Sequence, residues 1–123
     1  MPSIAFTLGV YAPLAARIRE VVDVPVIATG RINDPAVAER LLAVGQADLC
    51  IMNRALIADP DFSNKAKEGR QDDIRQCMGY NEGCIDCIYT GLSVTCVQNA
   101  IIGRERECGV IRLSGLAKKP TCA

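Results

Sequence analysis

Val24-Pro25-Val26-Ile27-Ala28-Thr29-Gly30-Arg31 and, one helix length later, Asp48-Leu49-Cys50-Ile51-Met52-Asn53-Arg54 are the stretches that decide the fold. Each is a short, almost wholly apolar run that ends in a small or polar residue followed by an arginine. Such runs read as strands buried on both faces, with Pro25 tolerated where the first one joins the sheet. Between them, Asn33-Asp34-Pro35 opens a helix: Asn33 or Asp34 serves as N-cap, and proline suits the first turn. Val37, Leu41, Leu42 and Val44 supply an apolar stripe, and Gly45 ends the helix. Strand, helix, strand in this order predicts a βαβ unit with parallel strands and a right-handed crossover.

Working outward, Leu14, Ala15, Ile18, Val21 and Val22 recur at helical spacing and predict a helix from about Ala12 to Val22. Arg17, Arg19 and Glu20 form its wet face, and Asp23 and Pro25 stop it. Residues 1–10 read as a loop. Downstream, a further helix is expected from near Asp59-Pro60-Asp61 to Gly69. Past Gly69 the periodicity fades, and residues 70–108 hold five of the seven cysteines. The expected organisation is an α/β piece over 1–70, a cysteine-rich segment over 71–108 and a tail or linker over 109–123.

The chain has 123 residues, half of them apolar and 23% charged, which suits one modest domain and excludes a disordered chain. Lys and Arg number 14, as do Asp and Glu, so there is no basic excess to bind nucleic acid or an anionic membrane. The absence of His removes histidine triads, histidine general bases and histidine-containing zinc sites. Residues 1–7 have no basic run and no long apolar stretch, so no signal peptide is expected, and no run approaches the roughly 18 apolar residues of a membrane-spanning helix. A cytoplasmic location is therefore expected, where clustered thiols hold metal or do redox work. Cys50 reads as plain core, and Cys108 and Cys122 as free thiols near the tail.

In parallel α/β layouts, ligands sit beyond the carboxyl ends of the strands. Gly30 lets the backbone come close to a ligand, and Arg31 and Arg54 can add charge-assisted contacts to a phosphate. The plainer alternative is a turn glycine with solvated arginines. Cys84 and Cys87 form a C-x2-C knuckle, and Cys77, Cys84, Cys87 and Cys96 together have spacing that a four-thiolate zinc site accepts.

Several segments are recognisable in order. They are Val24-Pro25-Val26-Ile27-Ala28-Thr29-Gly30-Arg31-Ile32, Gly45-Gln46-Ala47-Asp48, Met52-Asn53-Arg54-Ala55 and Ala58-Asp59-Pro60. Gly69-Arg70, Asp72-Asp73-Ile74-Arg75, Cys77, Cys96-Val97-Gln98-Asn99 and Gly103-Arg104-Glu105 follow. Together they resemble the old yellow enzyme-like NADH:flavin oxidoreductases, in particular the iron–sulfur branch with 2,4-dienoyl-CoA reductase and trimethylamine dehydrogenase. The resemblance implies a TIM (β/α)8 barrel of which this chain holds the last two strand–helix units, followed by the iron–sulfur loop segment. It implies that Gly30 and Arg31 form the first FMN-phosphate turn and Asn53 and Arg54 the second, with Asn53 where the family commonly has a small residue.

The resemblance also implies a [4Fe–4S] cluster, whose thiolates in the family follow a pattern close to C-x2-C-x3-C-x11-C. Cys77, Cys84 and Cys96 match the first, third and fourth positions. Tyr80 stands at the second, and a phenol with a pKa near 10 is a harder, bulkier ligand than a thiolate. Cys87 is the candidate substitute.

A full barrel takes about 250 residues, and the family's catalytic residues come mainly from earlier strands, so no catalytic residue is assigned here. The chain is expected to be a fragment of an FMN- and iron–sulfur-dependent oxidoreductase, inactive alone. The intact protein would act on a small-molecule substrate, either by ene-type reduction or by amine dehydrogenation or demethylation. It would do so as an oligomer or with a complementing barrel fragment. The alternative is a small cysteine-rich zinc-binding or interaction module on a βαβ scaffold.

Overall fold

In the computed structural model, residues 1–108 are described, with side chains through Arg106; the expected tail over 109–123, Cys122 and the Cys108 thiol lie outside the described residues. The elements in order are α1 (Ala12–Arg19), β1 (Ile27–Ala28), α2 (Pro35–Ala43), β2 (Leu49–Cys50), α3 (Arg54–Ala58) and α4 (Phe62–Lys67). A 3-10 turn (Gln71–Asp73), α5 (Ile85–Thr90) and α6 (Glu105–Cys108) follow. The chain divides into two compact units, one of Met1–Tyr80 and one beginning at Asn81.

The capping chemistry of α2 works as its sequence indicates. Asp34, not Asn33, is the N-cap: its Oδ1 accepts the Ala36 N–H at 2.8 Å, and Pro35 occupies the first turn. At the far end Gly45 takes a φ of +70°. The Gly45 N–H then reaches the Leu42 carbonyl and the Gln46 N–H the Leu41 carbonyl, both at 3.0 Å, which is a Schellman closure.

β1 and β2 pair in parallel, Ile27 opposite Leu49 and Ala28 opposite Cys50, as the βαβ reading requires. The pairing is shorter than the apolar runs, and only one face is covered. Val26 and Ala28 pack with Ala15 of α1 and with Ala47, and Cys50 packs against the Val37, Ala38 and Leu41 face of α2. Side chains alternate along a strand, so Ile27, Leu49 and Ile51 point the other way and are 52%, 54% and 50% exposed. Burial on both faces, expected from the composition of the runs, is therefore not what this chain forms: two strands carry helices on one side only. Cys50 is likewise half-buried rather than fully core, with burial pushing its thiol pKa up.

α1 is also shorter than its hydrophobic pattern, ending at Arg19 rather than near Val22. The small Ala12 and Ala15 make its buried face, because they let the helix lie close to the sheet, while Leu14, Ile18 and Val21 are exposed. α3 has no counterpart in the sequence reading, and the helix expected over Asp59–Gly69 is α4.

Two carboxylates fasten these pieces. Asp48 accepts the Val26 N–H at 2.8 Å and Arg19 Nε at 3.1 Å, tying the end of α1 to the start of β1. The Val26 N–H, opposed by burial and aided by Arg19, keeps the Asp48 carboxyl below the usual carboxylate range. Asp59 is 1% exposed and sits beside the cluster of Ala55, Phe62 and Ile74. Its Oδ1 accepts the Asp61 N–H at 3.1 Å. Its Oδ2 accepts Lys65 Nζ at 2.6 Å and the Arg75 N–H at 3.0 Å, and Lys65 also donates to the Asp73 carbonyl at 2.9 Å. Burial pushes the Asp59 pKa up, but Lys65 and the two N–H groups outweigh it and hold the carboxyl below its usual value.

In the second unit Cys84 is the N-cap of α5, and Gly91, at a φ of +69°, ends that helix. The Thr95 N–H donates to the Gly83 carbonyl at 2.6 Å, drawing the chain before Cys96 alongside the chain before Cys84. Asn99 is 3% exposed and its Oδ1 accepts the Ile101 N–H at 3.2 Å. Among the described residues no helix is long and apolar enough to cross a membrane.

Asp59→Asn removes the charge that Lys65 and Arg75 face, and should lower the free energy of unfolding by about 3 kcal/mol at neutral pH, read by urea denaturation. Because the folded carboxyl titrates below its ordinary 3.8, its contribution is fully present above that pH and is lost as pH falls through the lower folded value. The stability gap between wild type and Asp59→Asn should therefore hold near pH 6 and shrink below about pH 4; a gap that widens on acidification would contradict this assignment.

Candidate functional site

The carboxyl ends of β1 and β2 open onto one cavity of about 300 Å³. Gly30, Arg31, Asn53 and Arg54, the candidate phosphate residues, all line it. Its wall also takes in Asn33, Tyr11, Met52 and Cys77, and no acidic side chain of the described residues contributes to it. A concave surface with two guanidinium groups and no carboxylate favours an anion.

Gly30 is fixed by contact as well as by angle. Its φ is +109°, and a Cβ there would stand 2.8 Å from Tyr11 Cδ2 and 3.0 Å from the Tyr11 nitrogen. The Val10 N–H reaches the Gly30 carbonyl at 3.2 Å and the Gly9 N–H the Arg31 carbonyl at 3.4 Å, so the segment before α1 lies against this turn. Arg31 follows with a φ of +55°, in the left-handed region that a residue bearing a Cβ rarely adopts. The sharp turn at the end of β1 leaves main-chain N–H groups near the strand ends, where an anion can meet them.

Both arginines are oriented by the first residues of the chain. Arg31 Nη1 donates to the Phe6 carbonyl, and Arg54 Nη2 donates to the Pro2 carbonyl at 2.6 Å. Arg54 is 8% exposed, which sets aside the solvated-arginine alternative for that residue. Arg31 Nε is buried and has no acceptor among the described residues. An unmatched buried donor of this kind costs about 1–3 kcal/mol unless something supplies the missing acceptor. On this observation the residues present fit a phosphate group. Asn53 is exposed at the cavity rim and precedes α3, with no side-chain cap to its N–H groups.

The cysteines are divided between the units. Cys77 lies in the first and lines the cavity; Cys84, Cys87 and Cys96 lie in the second, Cys84 buried and the other two half-buried. All are free thiols. Among the described residues no group of three or more Cys, Asp, Glu or His side chains is gathered as a metal site. Tyr80 is 54% exposed.

The sequence reading passes over three contributors to this corner. Asn33 was weighed only as a helix cap; with Asp34 in that role, Asn33 is left buried at the cavity. The Pro2 and Phe6 carbonyls carry no side-chain signal at all.

Residues 7–73 match the NADH:flavin oxidoreductase / NADH oxidase family. A metal reductase of Desulforamulus reducens is 48% identical over 99 residues, which make up 80% of this chain and 15% of that protein. The solved structure of a 2-naphthoyl-CoA reductase superposes with a TM-score of 0.79 at 32% identity, over 84% of this chain and 16% of that one. Histamine dehydrogenase from Rhizobium sp. 4-9 does so with a TM-score of 0.78 at 35% identity, over 85% of this chain and 15% of that one. The chain thus spans about 15% of the length of these relatives. Both arginine-bearing turns fall within the matched residues 7–73, and the chain belongs to the NADH:flavin oxidoreductase / NADH oxidase family of oxidoreductases.

Proposed function

We propose that this chain is the cofactor-phosphate end of a flavin-dependent oxidoreductase, built from the last two strand–helix units of a (β/α)8 barrel. The observation that carries the proposal is the meeting of both strand-end turns, Gly30-Arg31 and Asn53-Arg54, at one cavity to which no acidic side chain of the described residues contributes. FMN, when bound, supplies hydride and single-electron transfer. The chain's own part is to hold the phosphate. Arg31 and Arg54 bring positive charge to it, and the Gly30-Arg31 turn brings main-chain N–H groups. The Pro2 and Phe6 carbonyls keep the two guanidinium groups from swinging into solvent.

The reaction belongs to a protein that also holds the earlier barrel strands, in the same polypeptide or as a complementing fragment or oligomer. Its substrate would be a small molecule, reduced at an unsaturated bond or dehydrogenated as an amine. The reductase and amine dehydrogenase among its relatives support both forms of the reaction. The cysteine spacing supports an iron–sulfur cluster on Cys77, Cys84, Cys96 and Cys87, as do the amine dehydrogenase relatives. No step is drawn through that cluster. The free thiols suit a reducing, cytoplasmic setting.

Titration with FMN and with riboflavin, followed by flavin fluorescence, tests the phosphate site. FMN should bind and riboflavin, which lacks the phosphate, should bind at least about tenfold more weakly, the factor a charge-assisted contact brings. Arg31→Ala should erase most of that difference, and Arg54→Ala should reduce it. Equal affinity for the two flavins would defeat the proposal. Gly30→Ala, which forces a Cβ against Tyr11, should abolish FMN binding and lower the melting temperature by several degrees.

A further inference from the structure

The stretch between Ile74 and Tyr80 has no regular secondary structure, yet it is held to the first unit at defined points. Ile74 is buried with Ala55 and Phe62. The Ile4 N–H donates to the Gly79 carbonyl at 3.1 Å. Gly79 itself lies so close that a Cβ there would stand 3.2 Å from the Ile4 nitrogen and 3.3 Å from Arg31 Nε. Between these points, Asn33 Nδ2 donates to the Cys77 carbonyl at 2.7 Å, across 44 residues of sequence.

Asn33 is 8% exposed, and its other polar atom, Oδ1, is buried with no partner among the described residues. A buried amide with an unmatched acceptor is an expensive choice where an apolar side chain would fill the space. What that amide does supply is the bond to Cys77. Its main chain is fixed by its neighbours, with Arg31 left-handed two residues before it and Asp34 capping α2 immediately after. The donor is therefore presented by the same turn that shapes the cavity, and Cys77 lines that cavity.

We propose that Asn33 is a positioning residue, whose side-chain amide fastens the Cys77 main chain to the Gly30-Arg31 turn and so sets where the first thiol of the cysteine segment stands at the cavity. The inference rests on the flavin reading only for what the cavity holds. Its consequence is a direct mechanical link between the phosphate turn and Cys77, by which a change at either one is felt at the other.

The test is site-resolved alkylation of the whole chain with N-ethylmaleimide, read by peptide mass mapping, with Cys50 as internal reference. Asn33→Ala should speed labelling of Cys77 about fivefold relative to Cys50, the shift in local opening that loss of one intramolecular hydrogen bond brings. Asn33→Asp keeps the shape but, once ionised, has no N–H to give, and should show the same selective rise. An Asp variant that labels like wild type would mean a packing role and overturn the proposal. So would an unchanged Cys77 rate in both variants, or an equal rise at Cys50, which reports general loosening. FMN binding is measured separately: a selective rise at Cys77 in a chain that does not discriminate FMN from riboflavin keeps the Asn33 inference and removes the flavin reading.

Discussion

The close approach of Tyr11 to Gly30 is the constraint on which the first unit depends. A side chain at position 30 would collide with the Tyr11 ring and nitrogen, so glycine lets the segment before α1 rest directly on the end of β1. That contact brings Gly9 and Val10 into hydrogen bonds with the turn, and it starts α1 at Ala12 in register with the sheet. It also returns residues 2–6 over the strand ends, where their carbonyls meet Arg31 and Arg54. Both cations are thus held at the cavity by main-chain acceptors.

The strained features cluster at the ends of the two strands. Arg31 in the left-handed region, and its Nε and the Asn33 Oδ1, both without a partner among the described residues, all fall within a few residues of one turn. Such features persist only where the surroundings over-determine them. Here the surroundings are a capped helix on one side and two carboxylates on the others, Asp59 buried and Asp48 at the surface. Asp48 locks the opposite end of the strands to Arg19, and Asp59 locks the α3–α4 corner to the chain that leads toward Cys77. The supports around the cavity are hydrogen-bonded anchors that join residues 16 and 29 positions apart.

The apolar surface shows why composition overstated burial. Ile27, Leu49 and Ile51 are as apolar as strands covered on both faces, and Leu14, Ile18 and Val21 are as apolar as a packed helix stripe. In this chain they face solvent. Periodicity reports which residues a fold is able to bury, not how many layers are present to bury them. α3 was illegible for a related reason: Arg54–Ala58 is one turn and a half of helix, too short for a periodic signal, and its placement follows from Ala55 and Phe62 packing together.

The sequence by itself determined the βαβ order, a start of α2 capped by Asn33 or Asp34 and its stop at Gly45, and the candidate turns Gly30-Arg31 and Asn53-Arg54. These depend on local chemistry: turn glycines, capping oxygens and apolar runs act within a few residues of themselves. Only the tertiary structure decided that Asp34 rather than Asn33 caps the helix and that Asn33 turns to Cys77. The same holds for the acceptors of the two arginines, which are carbonyls of residues 2 and 6. These contacts join residues tens of positions apart through main-chain atoms that every residue carries, so no pattern of side chains announces them.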